Sequence, residues 1–190
     1  MVKRLYVDGC SLTYGQGLNR NDSLGSLFRT KGEYDVIDKS RPGKSNIAIV
    51  FDTYNNYKNF DSCVLGFTFA DRFGIQYQGE DLDFFPGFHG AGLDLSSDSL
   101  DVAHTEMYKY FYSVYGPPYS DNLSDMLIDT LVSFLISKNK KVVGFSWQHR
   151  NVDCQLAYPY IAPSQRLPDG HLNKDGTITL FNILQSILNE

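Results

Sequence analysis

Residues 3–15 read Lys3-Arg4-Leu5-Tyr6-Val7-Asp8-Gly9-Cys10-Ser11-Leu12-Thr13-Tyr14-Gly15. A short apolar run that breaks at Gly9, with Gly15 and Gly17 following, predicts a buried strand over 3–8 feeding a loop rich in Ser, Thr and Gly. Asp22 and Ser23 then offer N-caps for a stretch carrying Leu24, Leu27 and Phe28, which Gly32 ends as a short helix. A second strand fits 34–38. After Pro42 and Gly43, Ser45 or Asn46 caps a helix with Ile47, Ile49, Val50 and Tyr54 at helical spacing, and a third strand fits 62–68. Strand, helix, strand, helix, strand with short connections is the pattern of a parallel sheet covered on both faces.

Beyond 68 the reading continues less evenly. Residues 76–98 are rich in Gly and Asp with no sustained period, and read as an inserted loop or short irregular hairpin. Helices are expected at 100–115 and at 121–138, the second with Leu123, Met126, Leu127, Thr130, Leu131 and Phe134 on one stripe. A strand follows at 140–147, a weaker one at 156–161, and a final helix at 177–188. No internal repeat, low-complexity segment or linker divides the chain, so residues 1–190 read as one domain.

Composition narrows the function. The 190 residues carry 17 Lys and Arg against 22 Asp and Glu, a net charge of −5, without a basic run to neutralise phosphates, so nucleic acid and anionic membrane surfaces are not expected partners. No stretch approaches the roughly 20 apolar residues that span a bilayer, and residues 1–8 turn polar too early for a signal peptide. A soluble protein, cytoplasmic or virion-associated, is expected. Cys10, Cys63 and Cys154 are odd in number and far apart, which fits reduced thiols rather than disulfides or a zinc site.

In an open parallel sheet, ligands bind beyond the carboxyl ends of the strands. There stand Asp8 to Gly15, Ser40 to Asn46, Thr68 to Arg72 and, before the last helix, Pro168-Asp169-Gly170-His171. A serine in a glycine-flanked turn at a strand end leaves its hydroxyl free beside backbone N–H groups that stabilise developing negative charge. His171 would supply its base and Asp169 would orient the imidazole. A loop serine acting as a helix cap is the plainer reading of the same turn. His149 is the rival base. His89 and His104 lack metal-ligand spacing, and Asp81, Asp83, Asp94, Asp98 and Asp101 lack the calcium-loop pattern, so no metal is assigned.

Taken together, Asp8-Gly9-Cys10-Ser11-Leu12, Gly43 with Ser45-Asn46, and Asp169-Gly170-His171 resemble the blocks of the SGNH or GDSL-type hydrolases, in the same order and over nearly the whole chain. The resemblance implies a flavodoxin-like, three-layer α/β/α fold with a central, mainly parallel sheet of four or five strands. It implies Ser11 as nucleophile, His171 as base, Asp169 as its orienter, and an oxyanion facing the N–H groups of Ser11 and Gly43, with Asn46, Thr68 and Arg72 as further substrate-binding residues. The expected activity is hydrolysis of a small-molecule or glycan ester, such as a carbohydrate O-acetyl group, without a cofactor. The chain departs from the family three times: its terminal block separates Asp169 from His171 by one residue where the family has two, and two further changes fall in the earlier blocks. Cys10 replaces the first block's Asp, and Gly66-Phe67-Thr68-Phe69 stands where the family has an asparagine, a pattern resembling short phage-encoded members with a Thr and a downstream Arg. A noncatalytic glycan-recognition module of a virion on the same scaffold is therefore the second expectation.

Overall fold

The computed structural model describes residues 3–32, 34–70, 72–77, 80–84, 113 and 119–190. Strand β1 (Arg4–Gly9) leads into the one-turn helix α1 (Ser11–Tyr14), and α2 (Leu24–Lys31), β2 (Asp35–Asp38), α3 (Asn46–Asn56) and β3 (Ser62–Phe67) follow. A hairpin, β4 (Phe73–Tyr77) and β5 (Glu80–Phe84), precedes α4 (Tyr119–Ser137). The chain then forms β6 (Lys141–Ser146), β7 (Leu156–Ala157) and α5 (Lys174–Asn189).

Five strands form one parallel sheet in the order β2-β1-β3-β6-β7. The period-2 alternation of strand side chains divides the core between the two faces. Leu5 and Val7 of β1, Val64 of β3 and Val143 and Phe145 of β6 join Leu24, Leu27 and Phe28 of α2 and Leu180, Phe181 and Leu184 of α5. On the opposite face Tyr6, Cys63, Leu65 and Phe67 meet Ile49 of α3 and Ile128, Leu131 and Leu135 of α4. The expected three-layer α/β/α architecture is thus present. The chain passes from β1 to β2 on one side and returns to β3 on the other, so the direction of strand addition reverses between β1 and β3. Such a switch point is where open sheets of this kind hold ligands.

Three elements differ from the sequence reading. The fifth strand stops at Ala157 because Pro159 offers no N–H to a ladder. Helix α5 begins at Lys174, since Asn173 accepts the Gly176 N–H at 3.0 Å and caps it. Residues 73–77 and 80–84 pair as a regular antiparallel hairpin, consistent with the alternation of apolar and polar residues in Phe73-Gly74-Ile75-Gln76-Tyr77. The rest of the 76–98 segment and the helix expected at 100–115, apart from Ser113, lie outside the described residues.

Candidate active site

Ser11 is the first residue of α1, immediately beyond β1, and is only 6% exposed. Cys10 occupies the N-cap position without a side-chain cap bond, so Ser11 is not the helix cap that the plainer reading of this turn implied. The helix sits close to the sheet because of two glycines. Gly9 and Gly66 are register partners on β1 and β3. A Cβ on Gly9 would come within 2.1 Å of Thr13 Oγ1, and one on Gly66 within 2.3 Å of that atom and 2.6 Å of Phe145 Cζ. Thr13, fully buried, therefore fills the slot the glycines leave open. Gly66→Ala is expected to cost roughly 1–3 kcal/mol through this overpacking. In urea unfolding, Thr13→Ala added to Gly66→Ala should recover part of that loss; no recovery would show that the slot is not what constrains Gly66.

The loop after β2 is tied to the end of β1. Lys39 N–H donates to Val7 O at 2.9 Å and Arg41 N–H to Gly9 O at 3.1 Å. Gly43 takes φ +76°, a left-handed conformation that suits glycine. Lys44 Nζ reaches Asp8 Oδ1 at 2.7 Å and Oδ2 at 2.8 Å, and also donates to Asp52 and to Lys39 O. Tyr6 donates its hydroxyl to Asp8 Oδ2 at 3.0 Å. Burial pushes the Asp8 carboxyl up, to about 7, against the pull of Lys44 and the Gly9 N–H. Burial likewise pushes the Tyr6 phenol far up, with the Asp8 and Asp52 carboxylates adding to it, so it stays protonated as a donor.

At the exit of β3 the side chain of Asn46 is fully engaged. Its amide donates to Thr68 O at 3.0 Å and to Ser124 Oγ at 2.8 Å, and its carbonyl accepts the Thr68 N–H at 2.8 Å. Asn46 thus holds the Thr68 backbone rather than offering a free donor to a ligand. Arg150, beyond β6, donates to Thr68 O, to Ser124 Oγ at 3.2 Å and to Asp125 Oδ1 at 3.0 Å. What remains of Thr68 is its hydroxyl, buried and without a hydrogen-bond partner among the described residues. Arg72 places its guanidinium carbon 5.5 Å from the centroid of the Phe69 ring.

His171 lies in a tight turn between Leu167 and Leu172, closed by Leu167 N–H donating to His171 O at 2.7 Å. This turn is held against the segment that follows Ser11. A Cβ on Gly17 would fall 2.7 Å from Leu167 Cδ1, and Lys174 Nζ lies 3.0 Å from Asp22 Oδ1. Asp169 reaches the imidazole despite the single intervening residue, with Oδ2 3.0 Å from His171 Nδ1. The ring N–H is not aligned on that oxygen, so Nδ1 makes a close electrostatic contact rather than a directed hydrogen bond. Asp169 Oδ1 accepts the His171 backbone N–H at 3.1 Å. That bond first, and the imidazole second, hold the Asp169 carboxyl below the usual carboxylate range. Ser11 and His171 share no hydrogen bond among the described residues.

His149, the rival base, is exposed and lies against Tyr158 with ring centroids 4.9 Å apart and the planes tilted by 35°. Cys10 is buried at 3% exposure, as a packing thiol would be. His89, His104, Asp94, Asp98 and Asp101 lie outside the described residues. Among the described residues no group of three or more His, Cys, Asp or Glu is placed to hold a metal ion. No described helix is long and apolar enough to cross a membrane. Sequence reasoning did not single out Asp8, Lys44, Ser124, Asp125 or Arg150. A charge inside the apolar run of β1 was the available signal for Asp8, since a carboxylate there requires a buried partner.

Comparison with known proteins yields structural likeness only. No family model and no curated protein matches the chain. Among solved structures it is similar to TesA, at 12% identity and a TM-score of 0.48, over 98% of each chain. It is also similar to the psychrotrophic esterase EstA from Pseudoalteromonas sp., at 11% identity and a TM-score of 0.43, over 99% of this chain and 100% of that one. A member of the lipolytic protein G-D-S-L family from Veillonella parvula DSM 2008 matches at 9% identity and a TM-score of 0.43, over 98% of each chain.

Proposed function

We propose that this chain is an SGNH-type ester hydrolase that works through an acyl-enzyme on Ser11, with a small-molecule or glycan ester as substrate. The observation that carries the reading is the His171–Asp169 pair, 3.0 Å apart, on a turn packed against the segment following Ser11. In the first half-reaction Ser11 Oγ attacks the ester carbonyl while His171 takes its proton and delivers it to the leaving alcohol. In the second half-reaction His171 deprotonates a water molecule, whose oxygen attacks the acyl carbon, and returns the proton to Ser11 Oγ as the acid departs. Asp169 stabilises the imidazolium in both. The serine–histidine hydrogen bond is made as the substrate complex forms, the stage at which catalytic bonds commonly tighten.

The N–H groups of Ser11 and Gly43 are the oxyanion donors in this reading. The Thr68 hydroxyl serves as the third, its backbone held by Asn46 and Arg150. Arg72 is assigned to an anionic group of the substrate. A fluorophosphonate probe tests the reading without knowledge of the substrate. It is expected to label Ser11, as located by peptide mass spectrometry. A well-folded protein left unlabelled across a broad pH range would instead support a noncatalytic recognition module.

A further inference from the structure

Asp8 and Lys44 form a fully buried ion pair that the proposed chemistry does not use directly. Burying two charges is costly, and an apolar pair of similar volume often stabilises a fold as well or better. What an ion pair supplies that an apolar pair does not is direction. The Lys44 ammonium is fixed by both Asp8 oxygens, at 2.7 and 2.8 Å, and by Lys39 O at 3.2 Å, with Asp52 of α3 as a further partner.

The location of the pair gives that direction its consequence. Asp8 immediately precedes Gly9, and Oδ1, one of the two carboxylate oxygens that receive Lys44, also accepts the Gly9 N–H at 2.7 Å, the amide that opens the turn to Ser11. Lys44 immediately follows Gly43 with its φ of +76°. One ion pair therefore joins the turn that presents Ser11 to the turn that presents Gly43, across 36 residues of sequence. The backbone bonds from Lys39 and Arg41 to Val7 and Gly9 tie the same two segments but stop short of Gly43.

Resting on the hydrolase reading above, we infer that the buried Asp8–Lys44 pair is a positioning device that sets the spacing between the backbone N–H groups of Ser11 and Gly43. Both donors must meet one oxyanion. A displacement of about 1 Å at such a site can cost about a hundredfold in rate, and loss of one donor about a hundred- to a thousandfold.

The test uses Lys44→Met and, because that variant strands a buried carboxylate and risks misfolding, also Asp8→Asn/Lys44→Gln, which leaves no unpaired charge between the two positions. Turnover of p-nitrophenyl acetate, fluorophosphonate labelling and amide hydrogen exchange are measured on each full-length variant. The expected result is a kcat reduced about ten- to a hundredfold with KM moved less than about threefold. Amides of residues 9–12, 43 and 44 should exchange faster while protection in β3 and α5 is unchanged. Folded variants with wild-type kcat would overturn the inference and leave the hydrolase reading intact. A fall in kcat without local loosening, or with loss of protection throughout the molecule, would also overturn it, as a merely structural role. A wild-type protein that neither turns over the ester nor takes the label would remove the hydrolase reading and this inference together.

Discussion

Ser11→Ala and His171→Ala are each expected to lower turnover of p-nitrophenyl acetate by roughly 10⁴- to 10⁶-fold, and the double variant to be no worse than either single one. The loss is large because in the proposed mechanism the nucleophile and its base act as one unit: a serine hydroxyl without a proton acceptor is as ineffective as an acceptor without a hydroxyl. Asp169→Asn is expected to cost less, on the order of 10²- to 10⁴-fold. Its side chain is 57% exposed and its contact with Nδ1 is off the N–H direction, so solvent screens part of its charge. Turnover within about tenfold of wild type in His171→Ala would transfer the base to another residue, with His149 tested next. The measurement is steady-state hydrolysis by matched, folded variants.

Arg150→Met is expected to cost about 3–5 kcal/mol of stability. The guanidinium is nearly buried, and its removal leaves Thr68 O without one of its two side-chain donors and Asp125, 13% exposed on its side chain, without its cation. Ser124 would lose one of its two donors as well. A domain of this size is stable by about 5–15 kcal/mol, so the urea midpoint should fall by a large fraction. A midpoint shift equivalent to less than about 1 kcal/mol would show that water replaces the guanidinium at no cost, and that the exit of β3 relies on Asn46 alone.

These expectations separate what local sequence carries from what it does not. The strand expected over residues 3–8, the helix capped at Ser45 or Asn46 and the turn at Pro42 and Gly43 were legible because each depends on its own neighbours: apolar run length, an N-cap side chain, a proline–glycine pair. The segment carrying Ser11 and the one carrying His171 could be placed at the same sheet edge because loops beyond the carboxyl ends of parallel strands gather there. Thr68 illustrates the boundary. Its position at the end of β3 follows from the apolar run before it, whereas the side chains that hold its backbone come from Asn46 and Arg150, 22 and 82 residues away.

The amino-acid sequence by itself determined an α/β chain with alternating strands and helices, the order of its glycine turns, and the loops that carry Ser11, Asp169 and His171. Only the tertiary structure decided that Asn46 spends its amide on the Thr68 backbone, that Lys44 is buried against Asp8, and that Arg150 rather than His149 is drawn inward beyond β6. The physical reason is that hydrophobic periodicity is local and repeats along the chain. The partner of a buried charge or amide, by contrast, is set by which distant segments packing brings within about 3 Å, the range of a hydrogen bond.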